Sequence, residues 1–310
     1  MKDIKISRRN ALIGAAATPL ATTTASQAVA HGGPEGPVQS LQSTFSVGDF
    51  RVSTLLAGSR VVDENIQGIF GMNVDAETFE TASREAFIPA DKAQFFFTPT
   101  VVLAGNDIVL FDTGLSADSM KPALAQAGLL PDDITVVVIT HMHGDHIGGM
   151  TDADGNLTYP NARYVAGQVE FDHWIAADND TVKAKVAPFA ERFEFVGDGA
   201  SVVSGITSVE AFGHTPGHMV YRLESAGEQL IVMADTTNHY VWSLAYPDWE
   251  VRFDIDKAAA AATRRRLLDM LAAERMPMIG YHMPFPGVGF VDKRTDGRFH
   301  YVPNTYQMAL

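Results

Sequence analysis

The chain has 310 residues, 46% of them hydrophobic, which predicts one large domain or two fused halves around a sizeable buried core. Because 37 acidic residues outnumber 23 basic ones and the formal net charge is −14, nucleic acid or an anionic membrane surface is excluded as the main partner. The sequence contains no cysteine, which excludes disulfides, thiolate metal ligands and a cysteine nucleophile.

Residues 1–30 have the composition of an export signal. Four basic residues precede the apolar stretch Ala11–Ala17, and Ala28–Ala30 supplies small residues for a cleavage site. The segment Ser7–Leu12 resembles the twin-arginine motif of proteins that are exported already folded. The apolar stretch is shorter than the roughly 20 residues that span a bilayer. We therefore predict a twin-arginine-type signal peptide, a periplasmic or secreted protein and no stable membrane anchor.

A glycine- and proline-rich linker, residues 31–44, is predicted to precede a catalytic domain, residues 45–310. In that domain, strand-like segments occur at Phe50–Leu56, Val101–Ala104, Ile108–Phe111, Ile134–Ile139, Ala162–Ala166, Val202–Ala211, Met219–Leu223 and Leu230–Ala234. Helical patterns cover Ser116–Leu130, Gln168–Ala177 and Lys257–Arg275. Hairpin strands interleaved with helices in two similar halves predict an α/β fold of two mixed sheets packed together, with helices outside.

Three consecutive arginines, Arg264–Arg266, lie within the last predicted helix. Because the chain is so acidic, we interpret them as a solvated helix face rather than as a basic binding patch. Asp254 or Asp256 is expected at the start of this helix, and Pro277 follows its end.

The sequence His-Met-His-Gly-Asp-His directly follows the buried strand Ile134–Ile139 and concentrates metal-ligand side chains. His141 and His143 are two residues apart in an extended segment, so both imidazoles project to the same side. Asp145 and His146 follow as the chain turns. Histidine and carboxylate side chains suit a metal that prefers nitrogen and oxygen ligands. A polar surface loop would not need three histidines at this spacing, so the segment predicts a metal site.

Three further ligand-type residues follow strand-like segments in the second half of the chain: His214, Asp235 and His282. Open sheets commonly place their sites at such strand ends. One metal ion uses three or four protein ligands. These residues and the first segment together could therefore hold two ions.

This set of residues resembles the ligand pattern of the metallo-β-lactamase superfamily. The chain matches the seven dinuclear ligands of that pattern, in order and type, with His141, His143, Asp145, His146, His214, Asp235 and His282. Phe-Asp-Thr-Gly, residues 111–114, is also similar to an early strand–turn motif of the superfamily. The resemblance covers about residues 45 to 305 and implies an αββα sandwich.

The resemblance also implies a role for each ligand. The first metal would be bound by His141, His143 and His214, the second by Asp145, His146 and His282, and Asp235 would bridge the two. Asp112 would hydrogen-bond a ligand histidine, whereas we interpret His218 as a structural hydrogen-bonding residue rather than a ligand. The ions would be divalent and are assigned as zinc, with manganese, cobalt or iron as alternatives for the same ligands.

Two such ions imply a hydrolase with a metal-bridging hydroxide as the nucleophile, because metal coordination lowers the pKa of water towards about 7. Asp145 would be the catalytic residue that orients this hydroxide or passes its proton to the leaving group. Esters, lactones, thioesters, amides and phosphotriesters are all substrates that this chemistry could cleave.

The C-terminal stretch from His282 to Pro303, which begins His-Met-Pro-Phe-Pro-Gly-Val-Gly-Phe, resembles the group that contains methyl parathion hydrolase and related lactonases, and residues 213–225 support the same resemblance. The resemblance implies hydrolysis of small neutral apolar lactones or aryl esters, with phosphotriester hydrolysis as a main or secondary activity, commonly in a homodimer. Met142, Trp174 and Phe285 are the predicted substrate-pocket residues. Residues 115–120 lack the aromatic side chain that methyl parathion hydrolase has in this turn, which favours a lactonase or esterase.

Other members of the superfamily are alternatives. A glyoxalase-II-like thioesterase shares all seven ligands, but the basic residues that bind its glutathione substrate cannot be placed in this sequence. A β-lactamase is disfavoured because those enzymes do not use a bridging aspartate like Asp235. A mononuclear iron dioxygenase would leave the second metal site empty. A flavodiiron protein needs an appended flavin domain, for which this chain has no room. A noncatalytic binding protein is disfavoured because such proteins seldom retain a complete set of metal ligands.

Overall fold

The computed structural model describes residues 40–305. The predicted signal peptide, residues 1–30, and most of the predicted linker lie outside these residues, so both stay predictions, as does the homodimer. The first strand begins at Gln42, within the segment predicted as linker, residues 31–44, so the folded domain starts before residue 45. Between residues 40 and 305, no helix is both long enough and apolar enough to cross a membrane.

The described chain alternates strands and helices. The strands are β1 (Gln42–Val47), β2 (Phe50–Leu55), β3 (Gly58–Val62), β4 (Ala93–Phe97), β5 (Thr100–Ala104), β6 (Asp107–Phe111), β7 (Val136–Ile139), β8 (Arg163–Gly167), β9 (Phe193–Val196), β10 (Ser201–Val203), β11 (Ile206–Glu210), β12 (Met219–Ser225), β13 (Glu228–Ala234), β14 (Met278–Gly280), β15 (Val288–Lys293) and β16 (Phe299–Pro303). The helices are α1 (Ala76–Glu85), α2 (Ala117–Gln126), α3 (Gly144–Ile147), α4 (Gln168–Ala176), α5 (Asp180–Lys185) and α6 (Lys257–Glu274). Short 3-10 helices lie at Ile66–Gly68, Pro131–Asp133 and Ala187–Arg192.

Fourteen of these strands form two seven-stranded mixed sheets. In the first sheet, ordered β1-β2-β5-β6-β7-β8-β9, the pairs from β6 to β9 are parallel and the others antiparallel. In the second sheet, ordered β10 to β16 in sequence, β13 and β14 pair parallel and their neighbours antiparallel. Strands β3 and β4 form a separate ribbon. The predicted fold of two mixed sheets with helices is confirmed.

An apolar core lies between the two sheets, and β7 shows how it forms. Val136 and Val138 belong to the cluster between the sheets, together with Tyr221 of the second sheet. Val137 and Ile139 point to the opposite face and join the cluster that packs beneath α1 and α2. Because β7 is buried on both faces, its sequence is a continuous apolar run, as a buried parallel strand requires.

The segment Val202–Ala211, predicted as one strand-like segment, is a hairpin instead. The chain reverses at Gly205, whose φ is +79°, and β10 pairs antiparallel with β11. A Cβ atom at Gly205 would lie 2.4 Å from the backbone oxygen of Glu224. Glycine is therefore required there both for its backbone conformation and for the close contact.

The interpretation of Arg264–Arg266 as a solvated helix face is wrong for Arg264, which is 1% exposed. Its guanidinium donates to the carbonyl oxygens of Thr236 and Pro247, both at 2.8 Å, and to the Asp254 carboxylate at 2.7 Å. Arg264 shares a helix face with the leucines of α6 that pack on the second sheet. A charged residue on that face is tolerated because its donors are satisfied.

Replacing Arg264 with leucine is expected to lower the free energy of unfolding by about 3–5 kcal/mol, because the buried Asp254 carboxylate loses its ion-pair partner. Arg265→Leu is the matched control on the same helix. The Arg265 side chain is 41% exposed and pairs with Asp248 at the surface, so its loss is expected to cost about 1 kcal/mol or less. Urea unfolding of both variants measures the difference. Equal losses would contradict a stabilising role for the buried pair.

Candidate metal centre

The structure brings all seven predicted ligand residues together at the carboxyl ends of strands from both sheets. The loop after β7 carries His141 and His143, α3 carries Asp145 and His146, and the loops after β11, β13 and β14 carry His214, Asp235 and His282. Two groups result, each with its ligand atoms within 4.8 Å of one another: His141, His143, His214 and Asp235, and Asp145, His146 and His282. Each group draws residues from both sheets.

Three imidazoles of the first group point their nitrogens at one place. His143 Nδ1 lies 3.1 Å from His141 Nε2 and 3.0 Å from His214 Nε2. His141 and His214 use Nδ1 to donate to Thr140 Oγ1 and Asp254 Oδ1, so their Nε2 atoms are acceptors. His143 Nδ1 can donate to only one of them, so at least one of the converging Nε2 lone pairs has no donor among these three rings. Ligand nitrogens around a tetrahedral zinc ion are about 3.3 Å apart, so the arrangement fits a cation.

The Asp235 carboxylate lies between the two groups. Its Oδ2 is 3.4 Å from His214 Nε2 and 3.1 Å from His282 Nε2, whereas its Oδ1 is 3.3 Å from His146 Nε2. Both Asp235 Oδ1 and His146 Nε2 are buried and make no hydrogen bond with any residue between 40 and 305. Buried polar atoms without partners are costly, and a cation between them would satisfy both.

Two residues beside these ligands have a left-handed backbone conformation that side chains other than glycine rarely adopt. Ala234, directly before Asp235, has φ +43°, and Asp112 has φ +62°. The pairing of β13 with β14 also shifts register between Val232 and Ala234. Bulges and strained residues of this kind redirect side chains near functional sites. Here they end the strands so that Asp112 and Asp235 face the centre.

Hydrogen bonds hold the outer nitrogens of the ligand histidines. The bond expected of Asp112 is present, with its Oδ2 2.8 Å from His146 Nδ1, and His282 Nδ1 donates to the Phe96 carbonyl oxygen at 2.8 Å. Such bonds fix the ring orientation and direct the other nitrogen to a metal.

Sequence reasoning missed the role of Asp254, which was expected to be one of two alternatives for the start of α6. Asp256 caps α6 by accepting from the Ala259 amide. Asp254 instead accepts from His214 Nδ1 at 2.9 Å and from the buried Arg264. No local signal marks this role, because Asp254 and His214 are distant in sequence.

Glu170 is a second residue that sequence reasoning missed. It is 0% exposed, and each carboxylate oxygen accepts two hydrogen bonds. Oε1 accepts from the Met142 amide at 2.9 Å and Trp174 Nε1 at 2.6 Å. Oε2 accepts from Thr215 Oγ1 at 2.7 Å and the Gly217 amide at 2.9 Å. Glu170 therefore ties the loop after β7 to the loop that carries His214, although burial raises its pKa against the effect of these donors.

His218 lies beside the first group, with its ring centroid 5.1 Å from that of His141. Its Nδ1 donates to the Ala211 carbonyl oxygen, and its Nε2 accepts from the Asp235 amide at 3.2 Å. Both ring nitrogens are therefore used, as its interpretation as a hydrogen-bonding residue requires.

The two groups differ in charge. Burial lowers the pKa of His143 to about 3 and that of His141 well below its usual value, so these imidazoles are neutral and able to coordinate. In the second group the opposing effect of burial is outweighed by carboxylates. Asp235 and Asp145 raise the pKa of His282 to about 10, and the carboxylates around His146 hold its pKa well above the usual value. A bound cation would displace these protons.

Comparison with known families agrees with this geometry. Residues 94–278 match the family described as the metallo-beta-lactamase superfamily. The chain belongs to this superfamily.

Two solved structures are similar to this chain over most of its length. AidC, a dizinc quorum-quenching lactonase in complex with a product, superposes with a TM-score of 0.77 at 25% identity, covering 87% of this chain and 100% of that one. The hydrolase AbOPH has a TM-score of 0.80 at 22% identity, covering 88% of this chain and 100% of its own, a likeness that shows the fold alone.

A curated relative matches over a shorter range. The N-acyl homoserine lactonase AiiA of Bacillus thuringiensis subsp. kurstaki is 25% identical over 118 residues. The match covers 37% of this chain and 44% of that protein. The chain therefore matches less than half the length of this lactonase.

As expected of a metallo-β-lactamase-superfamily hydrolase, the centre opens into a cavity, here of about 450 Å³. Its metal-binding side is formed by His143, Asp145, Asp235 and His282. Its apolar lining consists of Val62, Ile69, Phe95, Phe97, Leu115 and Phe253. Gly144, Arg60 and Arg252 are the remaining lining residues.

None of Met142, Trp174 and Phe285, the predicted pocket residues, lines this cavity, so their contact with a substrate stays a prediction. Met142 alternates with the histidines on either side of it, so its side chain is buried in the core beneath α1 and α2. Trp174 packs edge-on against His143, with ring centroids 5.7 Å apart, and donates to Glu170. The cavity is lined instead by residues of the β3–β4 ribbon, among others, and no local sequence motif marks these residues as pocket residues.

Glu170→Gln is expected to weaken metal retention about 10- to 100-fold, the usual cost of losing a hydrogen-bonding partner behind a ligand loop. The glutamine amide nitrogen would face two donors, so one of the two loops would lose its acceptors. Chelator titration followed by metal analysis measures the effect. Glu191→Gln, at an exposed position, is the matched control. Unchanged metal retention in Glu170→Gln would contradict the proposed link between the loops.

Proposed function

We propose that this protein is a dinuclear metal-dependent hydrolase of lactones and related aryl esters, with zinc as the preferred ion. The observation that carries the proposal is the Asp235 carboxylate, which faces both ligand groups beside a cavity with an apolar lining. The dizinc lactonase AidC and the lactonase AiiA, as similar proteins, support the choice of substrate class.

In this proposal the ligand roles follow the two groups. The first ion would be held by His141, His143 and His214, the second by Asp145, His146 and His282, and both by Asp235. When bound, two such cations supply an activated water at neutral pH and polarise the scissile carbonyl group.

Asp145 is the residue placed to handle the attacking water. Its side chain is 24% exposed, and it lines the cavity, whereas His146 and His282 beside it are buried. The Tyr281 hydroxyl donates to the Asp145 backbone oxygen at 2.6 Å and fixes this turn. The Asp145 carboxylate can therefore accept a hydrogen bond from the water, orient it and pass its proton to the departing alcohol.

The apolar lining favours an uncharged acyl chain or ring next to the scissile bond. Phe95 and Phe97 both pack edge-on against His282, with ring centroids 5.6 Å and 5.5 Å away. These rings form an apolar side of the cavity next to His282, a surface suited to an aliphatic or aryl substituent. Leu115 extends this surface from the turn that follows β6.

A substrate panel on metal-loaded protein tests the proposal. We expect turnover of dihydrocoumarin and acyl-homoserine lactones, with weaker turnover of methyl paraoxon and none of nitrocefin or S-lactoylglutathione. His143→Ala is expected to remove metal and lactone turnover together, since it deletes the nitrogen shared by two close contacts. His300→Ala, at an exposed position outside the site, is the control. Full lactone turnover by metal-free His143→Ala would overturn the mechanism.

Asp235→Asn tests the shared carboxylate. The amide keeps the shape but supplies one oxygen, so it cannot join two cations. We expect bound metal to fall from two equivalents towards one, and lactone turnover to fall at least about 100-fold. Metal analysis alongside kinetics measures both, with the exposed Asp248→Asn as control. Two tightly bound equivalents and normal turnover would contradict a bridging role.

A further inference from the structure

Two arginines share the cavity with the apolar lining and the metal ligands. Arg60 of β3 and Arg252, next to Phe253, are exposed, whereas His143 is half-buried and the other four ligand histidines are buried. The Arg252 guanidinium lies 5.2 Å from the centre of the Phe253 ring. Among residues 40–305, no acidic side chain pairs with either guanidinium, and neither donates a side-chain hydrogen bond. The cavity entrance therefore carries two guanidinium groups that have no acidic partner.

The carboxylates of the same cavity do not neutralise these arginines. Asp145 and Asp235 are engaged with the ligand histidines, at 3.4 Å and 3.1 Å from His282 Nε2. The chain as a whole carries a formal charge of −14, which repels anions at long range. The positive charges of the two guanidiniums at the entrance oppose that repulsion locally. A neutral substrate would gain little from them, but an anionic one would.

We propose that Arg60 and Arg252 bind a carboxylate of the substrate that is remote from the scissile bond. The inference rests on the proposed function and narrows its substrate class to lactones or esters with an acidic substituent. A guanidinium presents its donors as a planar fork that matches a carboxylate. The apolar lining between the entrance and the metal ligands would hold the aliphatic segment that separates the two ends of the substrate.

A binding experiment tests the inference without turnover. Octanoate and suberate have chains of equal length, but suberate carries a second terminal carboxylate. By calorimetry on the metal-loaded protein, suberate is expected to bind about 3- to 10-fold more tightly, as two exposed ion pairs allow. Arg60→Gln and Arg252→Gln are each expected to reduce this suberate-to-octanoate ratio about 2- to 5-fold. Equal affinities for the two ligands in the wild-type protein would overturn the inference.

Arg51→Gln is the matched control, because Arg51 is exposed on β2 and does not line the cavity. It removes the same charge and is expected to leave the ratio unchanged. A fall in the ratio as large as in Arg60→Gln would show that net charge alone is responsible and would overturn the inference. Added salt is expected to weaken the suberate preference, since exposed charges are screened.

Kinetics with a matched pair of lactones separates this inference from the proposed function. The two lactones share one ring and one acyl chain, which ends in a carboxylate or in its methyl ester. A lower KM for the acid that is lost in Arg60→Gln and Arg252→Gln supports the inference. Turnover of both lactones with equal KM values overturns it and leaves the proposed function intact. A suberate preference without lactone turnover, with S-lactoylglutathione cleaved instead, supports the inference and overturns the proposed function.

Discussion

The position of the Asp235 carboxylate between two clusters of imidazoles is the constraint on which the site depends. Its two oxygens approach His146 from the first sheet and His214 and His282 from the second. Neither cluster is complete within one sheet, so the apolar contacts between the sheets also set the distances between the ligands. The packing of the core therefore also positions the ligands. A substitution that shifts one sheet against the other is expected to change the distances between them.

Support for this arrangement extends well behind the ligands. His214 is held by Asp254, which is held in turn by Arg264 inside α6, while Glu170 connects the two loops of the first cluster. A buried charge is tolerable when it is paired and hydrogen-bonded. Asp254 and Arg264 meet that condition as an ion pair, whereas Glu170 has no cationic partner and is stabilised by four hydrogen bonds. The contacts that satisfy these buried groups thus also hold the ligand residues in the geometry that metal binding requires.

The parts of the site that follow strand ends could be predicted from the sequence, because ligand spacing after an apolar run is a local pattern. Asp254 and Glu170 could not, since their partners are brought near by tertiary packing and leave no periodic signal. The burial of Arg264 could not be predicted either, because it also depends on tertiary packing. Charged residues are exposed on average, but Arg264 lies on the face of α6 that packs against the second sheet. The cavity lining was missed because the β3–β4 ribbon lies far from the motif in sequence. Val202–Ala211 shows the converse, since one glycine with positive φ converts an apparent strand into a hairpin.

In the proposed function, chemistry and substrate choice come from different parts of this fold. The ligands lie at strand ends of the two large sheets, where the backbone is fixed by ladders on both sides. Arg60, Phe95 and Phe97 belong to the two-stranded ribbon, and Arg252 and Phe253 to the segment before α6. Side chains on such peripheral elements can change without altering the ligand distances. A reaction fixed by the sheets can therefore be directed to neutral or acidic substrates by a few residues at the entrance, and here those residues include two arginines.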